Sequence, residues 1–234
     1  MQQPFRSALS LQDSIQKLAK KAVRLVDGVK VVGLGSGSTV AFIVREMAKL
    51  RGKESIEFVP TSLQIKLEAE KSLLKIADEN RIPDTDIVFD GADQIDSRFN
   101  MIKGGGGALL REKILISAAR KVVIVADESK FVQTFNRSVP IEVHPMARSV
   151  VLKKLSEMGG QSKLRTLDKG YPFITENGNI VFDTVFHPIS DPKQKETELK
   201  NIAGVVEVGL FTRRPDIIFK AKNDGTLDTI TYFQ

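Results

Sequence analysis

Short apolar runs alternate with helical periodicity along the first half of this chain. No other feature constrains the fold as much. Val29–Val32, Ile56–Val59, Ile87–Phe89 and Val122–Val125 are runs of mostly β-branched residues, each too short for a helix. Val40–Leu50, Leu63–Leu74 and Ala108–Ala119 lie between them and carry apolar residues at helical spacing; an amphipathic helix over Leu11–Val26 precedes the first run. Strands alternating with helices predict an α/β fold, a Rossmann-like parallel sheet covered on both faces. In such sheets ligands bind outside the carboxyl ends of the strands. Gly33–Thr39, Asp90–Asp93 and Asp127–Lys130 each follow a strand directly, so all three are expected along that one edge.

The order changes after about residue 136. Val139–Val143 reads as a strand carrying Pro140, and Ala147–Met158 as a helix closed by Gly159-Gly160. Phe173–Thr175 and Ile180–Phe182 flank Glu176-Asn177-Gly178-Asn179, a hairpin signal. A helix over Gln194–Ile202 and a strand over Val205–Leu210 complete a β-α-β-β-α-β order, which predicts a smaller α+β domain of ferredoxin-like type. Residues 216–221 and 227–231, either side of Asn223-Asp224-Gly225, form a last hairpin expected back on the first domain. The expected division is therefore an α/β catalytic domain of residues 1–135 plus 212–234, and a small α+β domain of residues 136–211.

Composition narrows the function classes. With 41% hydrophobic and 27% charged residues in 234, the chain has the make-up of a globular protein with a real core. No apolar run approaches the roughly 18 residues of a membrane helix, and Met1–Ser10 lacks the apolar core of a secretory signal. A cytoplasmic protein with no membrane partner is expected. The absence of cysteine excludes disulfides, thiolate nucleophiles and cysteine metal sites. The net charge of +6 serves solubility and suits attraction of a phosphorylated substrate. Nucleic acid is not an expected partner, because the basic residues are scattered and aromatics make up only 6%. Lys17, Lys20, Lys21 and Arg24 fall opposite Leu18, Ala22 and Leu25, as a solvated helix face would. His144 and His187 each precede proline with no acid or second histidine at ligand spacing, which reads as structural. No metal and no organic cofactor is expected.

Three short segments concentrate the chemistry. In Gly33–Thr39 a strand runs through glycines into a helix, where free N–H groups and a partial positive charge suit phosphate; Ser36, Ser38 and Thr39 add hydroxyls. It is neither a Walker A loop nor a dinucleotide fingerprint: no Gly-Lys-Ser/Thr follows, Ser38 takes the third glycine position, and the next strand ends in Val59-Pro60-Thr61 without an acid. Asp90 and Asp93 suit an Asx turn or helix cap, a divalent cation, or a polar substrate. Lys103 precedes four glycines and is able to reach a developing oxyanion or a phosphate; Lys130 follows a strand at the same expected edge. Glu112 sits in an apolar helical arc, between Ala108, Leu115 and Ala119 on one side and Leu109 and Ile116 on the other. A glutamate there is expensive unless paired or catalytic. Its neighbours Arg111 and Lys113 would be the structural partners, but both project away on the wheel.

Gly33-Leu34-Gly35-Ser36-Gly37-Ser38-Thr39, Asp90-Gly91-Ala92-Asp93, Lys103-Gly104-Gly105-Gly106, Arg111-Glu112-Lys113 and Ala126-Asp127-Glu128-Ser129-Lys130 together resemble the signatures of the type A ribose-5-phosphate isomerases. Val143–Arg148 and Gly204–Phe211 extend the likeness to the C-terminal part. The resemblance implies an aldose–ketose isomerase that interconverts ribose 5-phosphate and ribulose 5-phosphate through a cis-enediolate. It implies Glu112 as the proton acceptor, with Asp90, Asp93 and Lys103 binding and polarising the sugar. Ser36, Gly37, Ser38, Thr39, Gly91, Ala92, Gly104, Gly105, Gly106 and Lys130 form the implied substrate-contacting set, and a homodimer or homotetramer is the implied assembly. Ser36 replaces the family's usual threonine and keeps the hydroxyl, Gln94 stands where glutamate is usual, and Lys17 lies near the place of a lysine that helps bind phosphate in some members. A coenzyme A transferase or deaminase on a related fold, and a sugar-phosphate-sensing regulator domain, are the competing readings.

Overall fold

The computed structural model describes residues 5–186 and 188–232, with side chains from residue 13 onward. His187 and residues 1–4 of the N-terminal stretch lie outside the described residues. Two compact units divide the chain. The first holds the described residues up to Ala92, Ile114–Lys130 and those from Pro215 on; the second holds Asp93–Lys113 and Phe131–Arg214.

The first unit is built on a seven-stranded sheet in the spatial order 227–231, 217–221, 121–127, 87–90, 31–34, 57–60, 75–76. All neighbours pair in parallel except the edge hairpin Ile217–Ala221 with Leu227–Thr231. The hairpin thus joins the larger sheet. Val31–Leu34 and Ile87–Asp90 are buried at every position, which is why they read as unbroken apolar runs rather than alternating ones. Their odd and even positions serve different faces. Val32, Leu34, Phe58, Phe89, Val123 and Val125 pack with Val40, Ile43, Val44 and Met47 of the Gly37–Met47 helix and Ile65 of the Leu63–Lys71 helix. On the opposite face a Cβ added at Gly33 would fall 2.7 Å from the Leu115 side chain, so this glycine lets the helix lie directly on the strand. From strand 31–34 the chain moves outward to 57–60, then crosses back to 87–90 on its other side. That reversal is a topological switch point, the usual ligand position in an open α/β sheet.

The second unit contains a four-stranded antiparallel sheet in the order 205–208, 139–143, 180–185, 161–164. With helices Arg148–Glu157 and Pro192–Lys200 it makes a β-α-β-β-α-β unit of strand order 4-1-3-2, the ferredoxin-like arrangement. Val139, Ile141, Val143, Val151, Leu155, Phe182, Leu199 and Val208 form its core. One strand lies elsewhere than expected: the ladder partner of Ile180–Val185 on that side is Gln161–Leu164, and Phe173–Thr175 keeps a single antiparallel bridge, Ile174 to Ile180. The expected tight turn closes between them, with Gly178 N–H donating to the Thr175 carbonyl at 2.9 Å and Thr175 N–H to the Asn179 carbonyl at 2.8 Å. A three-stranded antiparallel sheet of Gln94–Ile95, Met101–Ile102 and Leu210–Phe211 also belongs to this unit. That pairing puts residues 93–113 with the second unit, whereas the expected division placed them with the first.

Candidate active site

The candidate groups of the first unit gather at the carboxyl edge of its sheet. Strand 31–34 runs into Gly35, whose N–H donates to the Phe89 carbonyl at 2.8 Å. This ties the glycine loop to the strand that ends in Asp90. A Cβ at Gly35 would fall 2.1 Å from the Asp90 carboxyl, so the loop passes against that side chain and only glycine fits. Asp90 is 1% exposed, and its Oδ1 accepts from Gly91 N–H at 2.7 Å. Ser36 stands at the N-cap of the Gly37–Met47 helix in extended conformation, yet its hydroxyl does not cap the first turn. Ser38 and Thr39 form that turn, while Gly37 N–H goes to Gln64 Oε1 at 3.2 Å. An eleven-residue helix with this N-terminus presents donors and a partial positive charge at the switch point. Lys130 closes the turn after strand 121–127, which lies next to 87–90 in the parallel sheet. Thr61 was not among the expected residues. It follows strand 57–60 at the same edge, and its buried Oγ1 has no hydrogen-bond partner among the described residues.

The second unit holds the remaining candidates. Lys103 and Glu112 are each 3% exposed and meet at 3.0 Å, Nζ to Oε2. The helix Leu109–Ala118 carries Glu112 inward, and its neighbours splay away as the wheel predicted. Arg111 donates from Nη1 to Glu176 Oε2 at 2.8 Å and from Nε to Asn177 Oδ1 at 2.9 Å. Lys113 donates to the carbonyls of Val208 and Leu210 at 2.8 and 2.6 Å and pairs with Glu196. The ammonium groups of Lys103 and Lys113 lie 5.4 and 4.5 Å from the Phe211 ring centroid. Each cation is thereby stabilised by the ring's quadrupole. Lys103 N–H donates to the Gly209 carbonyl at 2.9 Å, and a Cβ at Gly209 would fall 2.4 Å from the Lys103 carbonyl oxygen. Gly209 and Phe211 are therefore the supports of Lys103, visible in the sequence only as part of the Gly204–Phe211 stretch.

The glycines after Lys103 make a tight loop against Asp93. Gly105 N–H donates to Asp93 Oδ2 at 2.8 Å, and a Cβ at Gly105 would fall 2.8 Å from Asp93 Oδ1. Gly104 adopts a φ of +100°, which side-chain-bearing residues rarely take. Gly106 is exposed on this loop. Gly91 and Ala92 lead from Asp90 to Asp93 and are half-buried. Gln94 is buried; its Oε1 accepts from the N–H groups of Asn136 and Arg137 at 3.1 and 3.2 Å, and its amide donates to Asn136 Oδ1. An amide serves both polarities there, which accounts for glutamine at this position. Lys17 is exposed on the first helix.

The first unit is a parallel sheet ending in glycine and aspartate loops, and the second holds a buried lysine–glutamate pair whose lysine precedes a glycine run; this is an α/β protein with acid–base groups in each unit. Residues 57–225 match the model of the family ribose 5-phosphate isomerase A (phosphoriboisomerase A), and the chain belongs to that family. It is 41% identical to the ribose-5-phosphate isomerase A of Methanosarcina acetivorans over 224 residues, covering 94% of this chain and 95% of the relative. The structure of ribose 5-phosphate isomerase A from Methanocaldococcus jannaschii superposes with a TM-score of 0.88 at 39% identity, over 94% of this chain and 99% of that one. A D-ribose-5-phosphate isomerase solved in complex with phospho-erythronic acid gives 0.85 at 36% identity, over 93% and 98%.

Proposed function

We propose that the chain interconverts ribose 5-phosphate and ribulose 5-phosphate, an aldose–ketose isomerisation. The observation that carries this reading is the ion pair of Lys103 and Glu112, buried together at 3.0 Å. Glu112 as carboxylate removes the proton from C2 of the open-chain aldehyde. The electron pair moves into a C1–C2 double bond, and the aldehyde oxygen becomes the oxyanion of a cis-enediolate. Lys103 already faces the carboxylate that collects the proton, so its ammonium is fixed before charge develops on oxygen. The enediolate then collapses with the O2 proton passing to O1. C1 takes back the proton from the Glu112 carboxyl, and C2 becomes the ketone. Asp90 or Asp93 carries the hydroxyl proton. One base serves both carbons because they are adjacent.

The phosphate falls to Ser36, Ser38, Thr39, the Gly37 turn and Lys130, while the Gly91-Ala92 and Gly104–Gly106 backbone lets the sugar approach. A phosphorylated ligand in the related complex with phospho-erythronic acid supports the substrate class. We place the protein in the cytoplasm; among the described residues no helix is long and apolar enough to cross a membrane. A homodimer or homotetramer is consistent with the apolar area exposed by Met146, Val150, Tyr171 and Ile174, and light scattering on the purified chain reports it.

The test is direct. Purified protein should convert ribose 5-phosphate to the ketose, and Glu112→Gln should lower kcat by about 10²–10⁴-fold while sugar-phosphate binding persists. A variant that kept more than about a tenth of wild-type kcat would remove Glu112 as the base.

A further inference from the structure

The geometry points to Arg165 as a positioning residue that acts on Asp93 through a single peptide group. Arg165 follows the strand Gln161–Leu164 and was not singled out by the sequence. Its Nη1 donates to the Gly104 carbonyl at 2.8 Å and to the Gly105 carbonyl at 3.1 Å. The Gly104 carbonyl belongs to the same amide plane as the Gly105 N–H, and that N–H donates to Asp93 Oδ2 at 2.8 Å. A guanidinium on the oxygen of an amide draws electron density from nitrogen toward oxygen, raises the double-bond character of the C–N bond, and makes its N–H a stronger donor. The cation and the carboxylate thus sit at the two ends of one polarised peptide.

The rest of the surroundings hold this line in place. Asp183 accepts from Arg165 Nε at 2.9 Å and from Nη2 as well, a fork-to-fork pair that fixes the guanidinium plane. The guanidinium also lies 5.7 Å from the Phe173 ring centroid, and Phe173 covers Gly107, where a Cβ would fall 2.4 Å from the ring. Arg165 is 14% exposed at its side chain, so solvent competes little for these bonds. The glycine loop has few side-chain contacts of its own, and the guanidinium supplies what its carbonyls lack. Arg165 therefore orients both Asp93 and the loop that begins at Lys103, without itself touching the sugar.

This inference rests on the isomerase reading with Asp93 as a sugar-contacting group, and its test has one arm that needs no turnover. The Gly105 amide proton is followed by NMR in ¹⁵N-glycine-labelled protein for wild type, Arg165→Met and Arg165→Lys. It should move upfield in Arg165→Met and recover part of the way in Arg165→Lys. In the kinetic arm, Arg165→Met should lower kcat for ribose 5-phosphate by about 10- to 100-fold with a smaller change in KM. In an Asp93→Asn background the same substitution should add almost nothing, because the two residues act as one unit. Should Arg165→Met fail to fold, Arg165→Lys keeps the pair with Asp183 and carries both readouts, with a smaller kcat loss. An unmoved Gly105 resonance, or full additivity with Asp93→Asn, would overturn the proposal. A wild-type protein with no isomerase activity would instead overturn the functional reading, and the resonance would still decide the role of Arg165.

Discussion

Lys103 and Glu112 are buried together, and each charge faces the other. Removing one partner of a buried pair takes from the other its facing charge, which typically costs about 3–5 kcal/mol, whereas replacing both with apolar residues is often neutral. Lys103→Met should therefore lower the stability measured by urea unfolding by about 3–5 kcal/mol, and the double variant Lys103→Met, Glu112→Leu should recover most of it while staying inactive. A single-variant loss below about 1 kcal/mol would mean that the carboxylate finds another partner or neutralises. The sequence exposed this pair only halfway. Glu112 stood out because a carboxylate at the centre of an apolar arc breaks the helical pattern, and no local signal named its partner, nine residues earlier in a different element. Arg165 was invisible for the opposite reason. It sits in a polar stretch where an arginine breaks no pattern, and its role comes from the carbonyls of Gly104 and Gly105 some sixty residues away.

Elements announced themselves in proportion to their burial. The central strands Val31–Leu34 and Ile87–Asp90 are buried throughout and were plain in the sequence, as were the helices that cover them. Gln161–Leu164 was missed because it alternates exposed and half-buried positions with only one apolar residue among four. The two-residue strands at 94–95 and 101–102 carry no periodicity at all; they exist because Leu210–Phe211 pairs with 101–102, which pairs in turn with 94–95. Strand register in the first unit depends on a polar fixture. Asp86 Oδ2 accepts from the N–H groups of Lys30 and Val31 at 2.9 and 3.0 Å, tying the start of one parallel strand to the next. Burial alone would push the Asp86 carboxyl up, but those two N–H groups, with the nearby charges of Arg120 and Lys30, outweigh it and hold the carboxyl below its ordinary value. A depressed native value makes the contribution fully present above the unfolded-state value and lost as pH falls through the native one. Asp86→Ala should cost about 1–3 kcal/mol at neutral pH. Its gap from wild type should narrow once the pH drops below about 3.9, the unfolded aspartate value. A gap that stayed constant from pH 7 to pH 3 in urea titrations would show that the carboxylate charge contributes nothing.

At the scale of the whole molecule the candidate groups divide between the two compact units. Ser36 to Thr39, Asp90 and Lys130 belong to the first; Asp93, Lys103 and Glu112 belong to the second, and the chain passes from one to the other at Ala92–Asp93. The motif order along the sequence was legible, but this division was not. It depends on which distant strand completes the sheet of residues 94–102, and pairing partners leave no local trace. The functional proposal assigns the phosphate to Ser36, Ser38, Thr39 and Lys130, and proton transfer to Glu112 with Asp90 or Asp93. Binding energy released at the phosphate is then available to place C1 and C2 against Glu112, which raises kcat as well as lowering KM. Ribose lacking the phosphate should accordingly show a kcat/KM lower by at least about 10²-fold, with both constants affected. Thr39 stands in the first turn of the Gly37–Met47 helix, at the end of strand 31–34. Thr39→Ala should weaken turnover of ribose 5-phosphate far more than the residual turnover of free ribose. Steady-state kinetics on the two sugars decides the matter, because equal losses on both would make the Gly33–Thr39 loop a structural turn and move the phosphate elsewhere.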